Sequence, residues 1–263
     1  MIAAIGTITR DRIFTDGKEM ARLGGAPFFF SKVCSRLDVP HKIISHISRE
    51  DASHVPCKEG LILGDRTSEL IIRETSDDTS CEVVHFTGKI PLQQSHLAGS
   101  RLCLISTLFD EVMPEDLAAM HPQGRLALDL QGFTRKKGRF LSDKKKRQPK
   151  GLGKLVSFVS ILKCNELESR IICGDVPIED RLNFMSRLGP KTVLITLGEN
   201  GIAVFDHGDV FTSPVQKRAV ASTVGAGDIL FSAFLAFLDK GDSVKEAVSR
   251  AMALTGDILE ENI

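Results

Sequence analysis

Residues Ala221 to Phe237 read ASTVGAGDILFSAFLAF, and the architecture of the chain hinges on this run. Small, glycine-rich residues lead into an apolar stretch of helical spacing that begins near Ile229. A turn of this kind aims successive backbone N–H groups at an anion lying in front of a helix N-terminus. Gly225 and Gly227 let the backbone approach that anion, and Ala226 between them adds almost no bulk. Asp228 then stands at the cap, facing the same spot. An Asp there also reads as an ordinary helix cap. The Gly-Ala-Gly ahead of it favours the anion site, because a cap alone has no use for three small residues.

Upstream, Val193 to Gly201 (VLITLGENG) reads as a buried strand and a tight turn, with the return of a hairpin at Ile202 to Phe205. Lys163-Cys164-Asn165-Glu166-Leu167-Glu168 follows a strand at Val159 to Leu162, and Asp129 stands at the end of another at Leu126 to Leu130. Near the start, Gly6 closes a strand at Ile2 to Ile5, and Leu23-Gly24-Gly25-Ala26-Pro27 precedes helical spacing over Phe28 to Leu37. Further short apolar strands lie at His41 to Ser45, Leu102 to Ser106 and Val193 to Thr196, and further helical stretches at Pro114 to Met120, Ile178 to Leu188 and Val244 to Leu259. This alternation predicts an α/β fold with a mostly parallel sheet covered on both faces.

Ser222-Thr223-Val224-Gly225-Ala226-Gly227-Asp228 resembles the pattern Asp-Thr-x-Gly-Ala-Gly-Asp of the ribokinase-like (PfkB) family of carbohydrate and nucleoside kinases, departing only at its first position. Thr196 to Gly201 resembles the family's Thr-Leu-Gly-x-x-Gly segment, and Asn165 to Glu168 its Asn-x-x-Glu element. Asp129 falls where the family also carries an acidic residue, Gly24-Gly25 resembles its di-glycine element, and Gly6 with Asp11 its Gly-x-x-x-x-Asp opening. The resemblance implies a ribokinase-like three-layer sandwich over residues 1–263, one domain, with a small β-hairpin lid formed by about 10–23 and 67–90. It implies an ATP-dependent phosphotransferase acting on a hydroxyl of a small sugar, inositol-like polyol or nucleoside. Asp228 would be the base, and the amides around Gly225, Ala226 and Gly227 would hold the transferring phosphoryl group. Asn165 and Glu168 would border Mg²⁺ through water, and Thr196, Gly198, Gly201 and Thr223 would lie along the nucleotide. Asp11, Gly24, Gly25 and Phe29 would face the acceptor. Activation by a monovalent cation and a homodimer formed through the lid are left open.

The chain departs from the family's sugar kinases at Phe29, where those enzymes carry Asn four residues after the second glycine. Phe28-Phe29-Phe30 either makes that wall apolar or turns the side chain into the core. A furanose site would then miss a hydrogen-bond partner, which shifts the expectation toward an inositol, a nucleoside or another polyol. The chain also stops soon after its last helical stretch, so part of the adenine pocket is expected to be abbreviated.

Bulk properties narrow the function classes. A chain of 263 residues with 42% hydrophobic and 26% charged side chains is ordinary for a globular protein. Lys plus Arg equals Asp plus Glu at 34 each, so no global field draws in nucleic acid or membrane. The six cysteines show no C-x-x-C spacing and read as small buried hydrophobes of a reducing cytosol. Met1 to Gly6 lacks the basic and apolar regions of a signal peptide, and no run nears the ~18 apolar residues of a membrane helix. The expected location is cytoplasmic.

Two segments interrupt the α/β rhythm. Residues 67–90 read as an inserted β-hairpin, a flap or lid. Residues 135–150 (RKKGRFLSDKKKRQPK) hold nine basic residues in sixteen, read as a solvated surface loop over a phosphate or nucleic-acid patch. Gly151-Leu152-Gly153-Lys154 lacks the loop and the hydroxyl of a P-loop, and no protein-kinase or G-x-S-x-G motif occurs. Two rivals to the kinase remain: a ligand-sensing relative of weak activity, and a nucleic-acid-associated protein using the basic stretch.

Overall fold

The computed structural model describes residues 1–15, 17–75, 79–109, 111–113, 116, 125–142, 146–215, 218, 220 and 222–261. With strands numbered in chain order, the main sheet contains β1 (Ile2–Gly6), β4 (His41–Ser48), β5 (Leu61–Gly64), β8 (Leu102–Ser106), β9 (Arg125–Asp129), β11 (Ile161–Asn165) and β12 (Thr192–Thr196), all parallel. The antiparallel β13 (Ile202–Asp206) and β14 (Asp209–Ser213) finish one edge, giving the order β14-β13-β12-β11-β9-β8-β1-β4-β5 among the described residues. Strands covered on both faces need continuous apolar runs, and β1 is buried at all five positions of its IAAIG sequence.

Alternate residues feed two cores. Ile2 and Ala4 join the core built with α1 (Ala26–Arg36) and the C-terminal helices Ala226–Asp239 and Val244–Glu260. Ala3 and Ile5 join the opposite core, where α2 (Gln94–Leu97), α4 (Leu152–Val156), α5 (Glu166–Cys173) and α6 (Ile178–Arg187) pack. A one-turn helix, α3 (Gln131–Thr134), follows β9, and the C-terminal pair is α7 and α8. The result is a helix–sheet–helix sandwich, as the alternation predicts.

A second sheet stands apart from the first, in the order β10-β7-β6-β2-β3. Its strands are β2 (Thr9–Thr15), β3 (Lys18–Gly24), β6 (Ser68–Glu74), β7 (Thr79–His85) and β10 (Phe140–Ser142). The inserted hairpin is β6–β7, and β2 pairs with β6 in parallel. Strand β10, drawn from the basic stretch, pairs Phe140 with Glu82 and Leu141 with Cys81. Ile13, Leu70, Ile72 and Leu141 turn inward against Leu108 and Phe109, which follow β8. Asp51 secures the start of this sheet, accepting from Arg10 at 2.7 Å, Ser48 Oγ at 3.0 Å and Thr67 Oγ1 at 2.5 Å.

Several boundaries differ from the sequence reading: β4, expected to end at Ser45, runs to Ser48, and α1, expected from Phe28, begins at Ala26. The strand expected at Val159 to Leu162 runs instead from Ile161 to Asn165, because Val159 closes a turn by donating to Val156 O at 3.0 Å. The C-terminal helix expected near Ile229 begins at Ala226. The helical stretch expected at Pro114 to Met120 lies, apart from Asp116, outside the described residues. All six cysteines are free thiols, and among the described residues no helix is long and apolar enough to cross a membrane.

Candidate active site

The glycine-rich turn meets α7 at the carboxyl edge of the main sheet. Gly225 is the residue before the helix, with φ 89, a conformation that L side chains rarely adopt. A Cβ on Gly225 would also lie 2.7 Å from the Phe29 ring. Asp228 is the third residue of the helix rather than its cap, and no side chain caps α7. Its carboxylate is therefore free of the structural duty that the cap reading would assign it. Half-buried, it feels the charges of Lys163, Asp129, Arg135 and Asp11. Burial pushes its pKa up to about 6, with Lys163 and Arg135 pulling down and Asp129 and Asp11 pushing up.

Lys163 was not singled out as a site residue by the sequence reading. It leaves the middle of β11 beside Asp129 of β9, in direct register, and Nζ donates to Asp129 Oδ2 at 2.8 Å. Both side chains are buried, at 6% and 1% exposure. Burial lowers the lysine pKa, but the fields of Asp129, Asp228 and Glu168 outweigh it and hold the ammonium charged. Nζ also sits 3.2 Å from where a Cβ on Gly227 would be, so a fixed cation underlies the anion turn. A lysine inside an apolar parallel strand was the available signal, since lysine is almost never fully buried without a partner.

Where β11 passes into α5, Asn165 and Glu168 form a reciprocal cap of the helix. Asn165 Oδ1 accepts from Glu168 N, and Glu168 Oε2 accepts from Asn165 N, both at 2.8 Å. Glu168 Oε1 accepts from Lys146 at 2.8 Å, with side chains 1% and 5% exposed. Burial works against the Glu168 carboxylate, yet Lys146 and Lys163 keep its pKa low. Lys146 is thus a buried partner, where the basic stretch as a whole had read as solvated. Thr196 lies beside Asn165 in register, and Gly198 and Gly201 shape the turn that follows, both at positive φ. Among the described residues no group of three or more His, Cys, Asp or Glu could hold a metal.

In β2, Asp11 is 3% exposed and its Oδ1 has no hydrogen-bond partner among the described residues. Burial pushes its pKa up to about 6, partly offset by Arg22 and Arg135. Ser106 Oγ, at the end of β8 beside Gly6, is likewise buried without a partner among the described residues. A Cβ on Gly24 would fall 2.0 Å from Asp11 Oδ2 and displace that carboxylate, and Gly25 is required because its φ is 83 and a Cβ would meet Thr7 O at 2.1 Å. Phe29, at 2% exposure, packs under Gly225 with the Arg22 guanidinium 5.4 Å above its ring centroid. Of the two readings of Phe29, the core is the one observed. In the core as at a wall, Phe29 offers no hydrogen bond where the sugar kinases carry Asn.

The second sheet grips the anion turn directly. Glu74 of β6 accepts from Ser222 Oγ at 2.6 Å, Thr223 N at 3.0 Å and Thr223 Oγ1 at 2.6 Å. Arg22 of β3 donates to Val224 O at 2.7 Å. Neither contact was visible in the sequence, since each joins segments far apart in the chain.

Residues 62–256 match the family model described as pfkB family carbohydrate kinase. The chain belongs to the pfkB family. Among characterised proteins it is similar to a cytidine kinase of Thermococcus kodakarensis, 29% identical over 112 residues, which is 42% of this chain and 40% of that protein. The chain therefore aligns with less than half the length of that relative. Among solved structures, a pyrophosphate-dependent kinase in the ribokinase family, complexed with a pyrophosphate analogue and myo-inositol, superposes with TM-score 0.84 at 23% identity, covering 98% of this chain and 95% of that one. Arabidopsis thaliana ribokinase complexed with ribose and ATP superposes with TM-score 0.77 at 17% identity, covering 98% and 92%. These likenesses establish the ribokinase fold for this pfkB chain.

Proposed function

We propose that the chain transfers the terminal phosphoryl group of ATP to a hydroxyl of a small sugar, polyol or nucleoside, with Asp228 as the base. The observation that carries this reading is the uncapped Asp228 carboxylate in the first turn of α7, beside the Gly225–Gly227 turn and within the field of Lys163 and Asp11. The acceptor oxygen attacks the terminal phosphorus in line, the bond from that phosphorus to the bridging oxygen of the leaving diphosphate breaks, and the hydroxyl proton passes to Asp228. A positioned base of this kind contributes about 10²–10⁴-fold. The turn's amides and Lys163 meet the charge of the phosphoryl group, an arrangement in which losing one donor costs about 3–4 kcal/mol.

Asp11 Oδ1 and Ser106 Oγ support a hydroxyl-bearing acceptor, because buried polar atoms seek partners and these have none among the described residues. ATP is supported by family membership. Mg²⁺ fits this chain through water rather than by direct ligation, since Glu168 is committed to Lys146 and to its cap, and Asp129 to Lys163. When bound with the donor it supplies positive charge to the phosphates. The second sheet, reaching the turn through Glu74 and Arg22, is suited to act as a lid that excludes water from the transfer.

The test is phosphorylation of a panel of nucleosides, inositols, hexoses and pentoses, with ATP and in parallel with pyrophosphate as donor. One strong product, lost in Asp228→Asn, is expected with ATP. Absence of any transfer by the folded protein, or full activity in Asp228→Asn, overturns the reading.

A further inference from the structure

A cavity of about 360 Å³, at the small end of the range for small-molecule sites, opens at Phe109, a member of the core cluster against which Val224 of the glycine-rich turn packs. It is framed by the segments after β8 and β9 and by α4, and none of its lining comes from Thr196–Gly201 or α7. Five cations line it: Arg135, Lys137, Arg147, Lys150 and Lys154. No Asp or Glu lines it among the described residues. Within the same set, no carboxylate forms a salt bridge with Arg135, Arg147 or Lys150.

The chain carries no net charge, so this concentration of one sign is local. Like charges gathered around a concave surface repel one another and focus a field that draws in a compact anion. Arginine forks match phosphate oxygens in pairs, whereas a merely solvated lysine tract needs no cavity. Arg135 ties the cavity to the reaction, because its charge is felt by both Asp228 and Asp11. Lys146, next to Arg147, is held in place by Glu168, which fixes the rear of the segment that carries the cations.

We infer that this cavity is a phosphate-binding site contiguous with the catalytic centre, taking a compact phosphate-bearing anion. Its ligand chemistry rests on the kinase reading, but the test reads binding rather than turnover, so each can fail alone. Two sources share the chemistry: the phosphates of the donor, and a phosphate ester already present on the acceptor.

The full-length protein is titrated calorimetrically with inorganic pyrophosphate and, separately, with inositol 1-phosphate, beside the double variant Arg147→Gln/Lys150→Gln. Both positions are exposed, so an unchanged melting temperature is expected to show that the variant folds. Affinity for at least one anion should fall about tenfold or more, the scale of one lost charge-assisted hydrogen bond. A loss confined to pyrophosphate assigns the cavity to the donor, and a loss confined to inositol 1-phosphate assigns it to the acceptor. Equal affinities in the two proteins, or no binding of either anion to the unaltered protein, overturn the proposal.

Discussion

Asp228, the proposed base, shows how burial shapes a carboxylate. Its pKa, pushed from the ordinary 3.8 up to about 6, means that the folded protein takes up a proton between those values while the unfolded chain does not. Stability should therefore fall as pH rises from about 4 to 6, by about 3 kcal/mol for a two-unit shift, and stay level above. Activity should move the opposite way, because the carboxylate form is the proposed base. We expect kcat/KM to climb through an acid limb near pH 6, with Asp11 contributing in the same window, and a pH–rate profile checks this. Lys163→Met should leave Asp129 buried without its cation, costing about 3–5 kcal/mol in urea unfolding. It should also move the acid limb to higher pH, since Lys163 is the largest influence holding the Asp228 pKa down. The candidacy of Asp228 was legible in the sequence because three small residues in front of an apolar helix are hard to explain otherwise, although its place in the first turn rather than at the cap was not. Lys163 was not, because its role depends on strand register, and Phe29 was ambiguous until its ring was found beneath Gly225.

At the scale of elements, the parallel strands were readable because burial on both faces leaves them little choice but apolar residues. Boundaries were harder. The helix was expected to begin where apolar periodicity begins, at Ile229, but its first turn is built from Ala226, Gly227 and Asp228, which carry no periodicity. Strand β10 was hidden among lysines and arginines, where Phe140 and Leu141 are too few to stand out. The turn before α7 gives a direct test. Gly225→Ala imposes a side chain at φ 89 and against the Phe29 ring, and should cost about 1–3 kcal/mol in thermal or urea unfolding. Phosphoryl transfer should fall with it. Adding Phe29→Leu should recover part of the stability if the ring contact contributes, while the backbone strain persists.

The whole molecule joins two sheets that share one site. The hairpin at 67–90 was visible as a break in rhythm, but its grip on residues 222–224 was not, because Glu74 and Thr223 are brought together only by the fold. Glu74→Gln removes the charge from that grip and should raise the KM for the phosphate donor about tenfold, the scale of a charge-assisted hydrogen bond. It should also weaken the effect of acceptor on donor affinity, which equilibrium titrations with and without acceptor would measure; an unchanged effect shows that the sheets act independently. The same contact bears on redesign. Asp11 and Arg22 belong to the sheet proposed to hold the acceptor, and Arg22 also holds Val224 at the edge of the glycine-rich turn. Selecting variants for a new acceptor will therefore disturb turnover unless the Arg22 and Glu74 contacts are kept fixed, so combinatorial libraries should vary the β8 end and leave those two residues untouched.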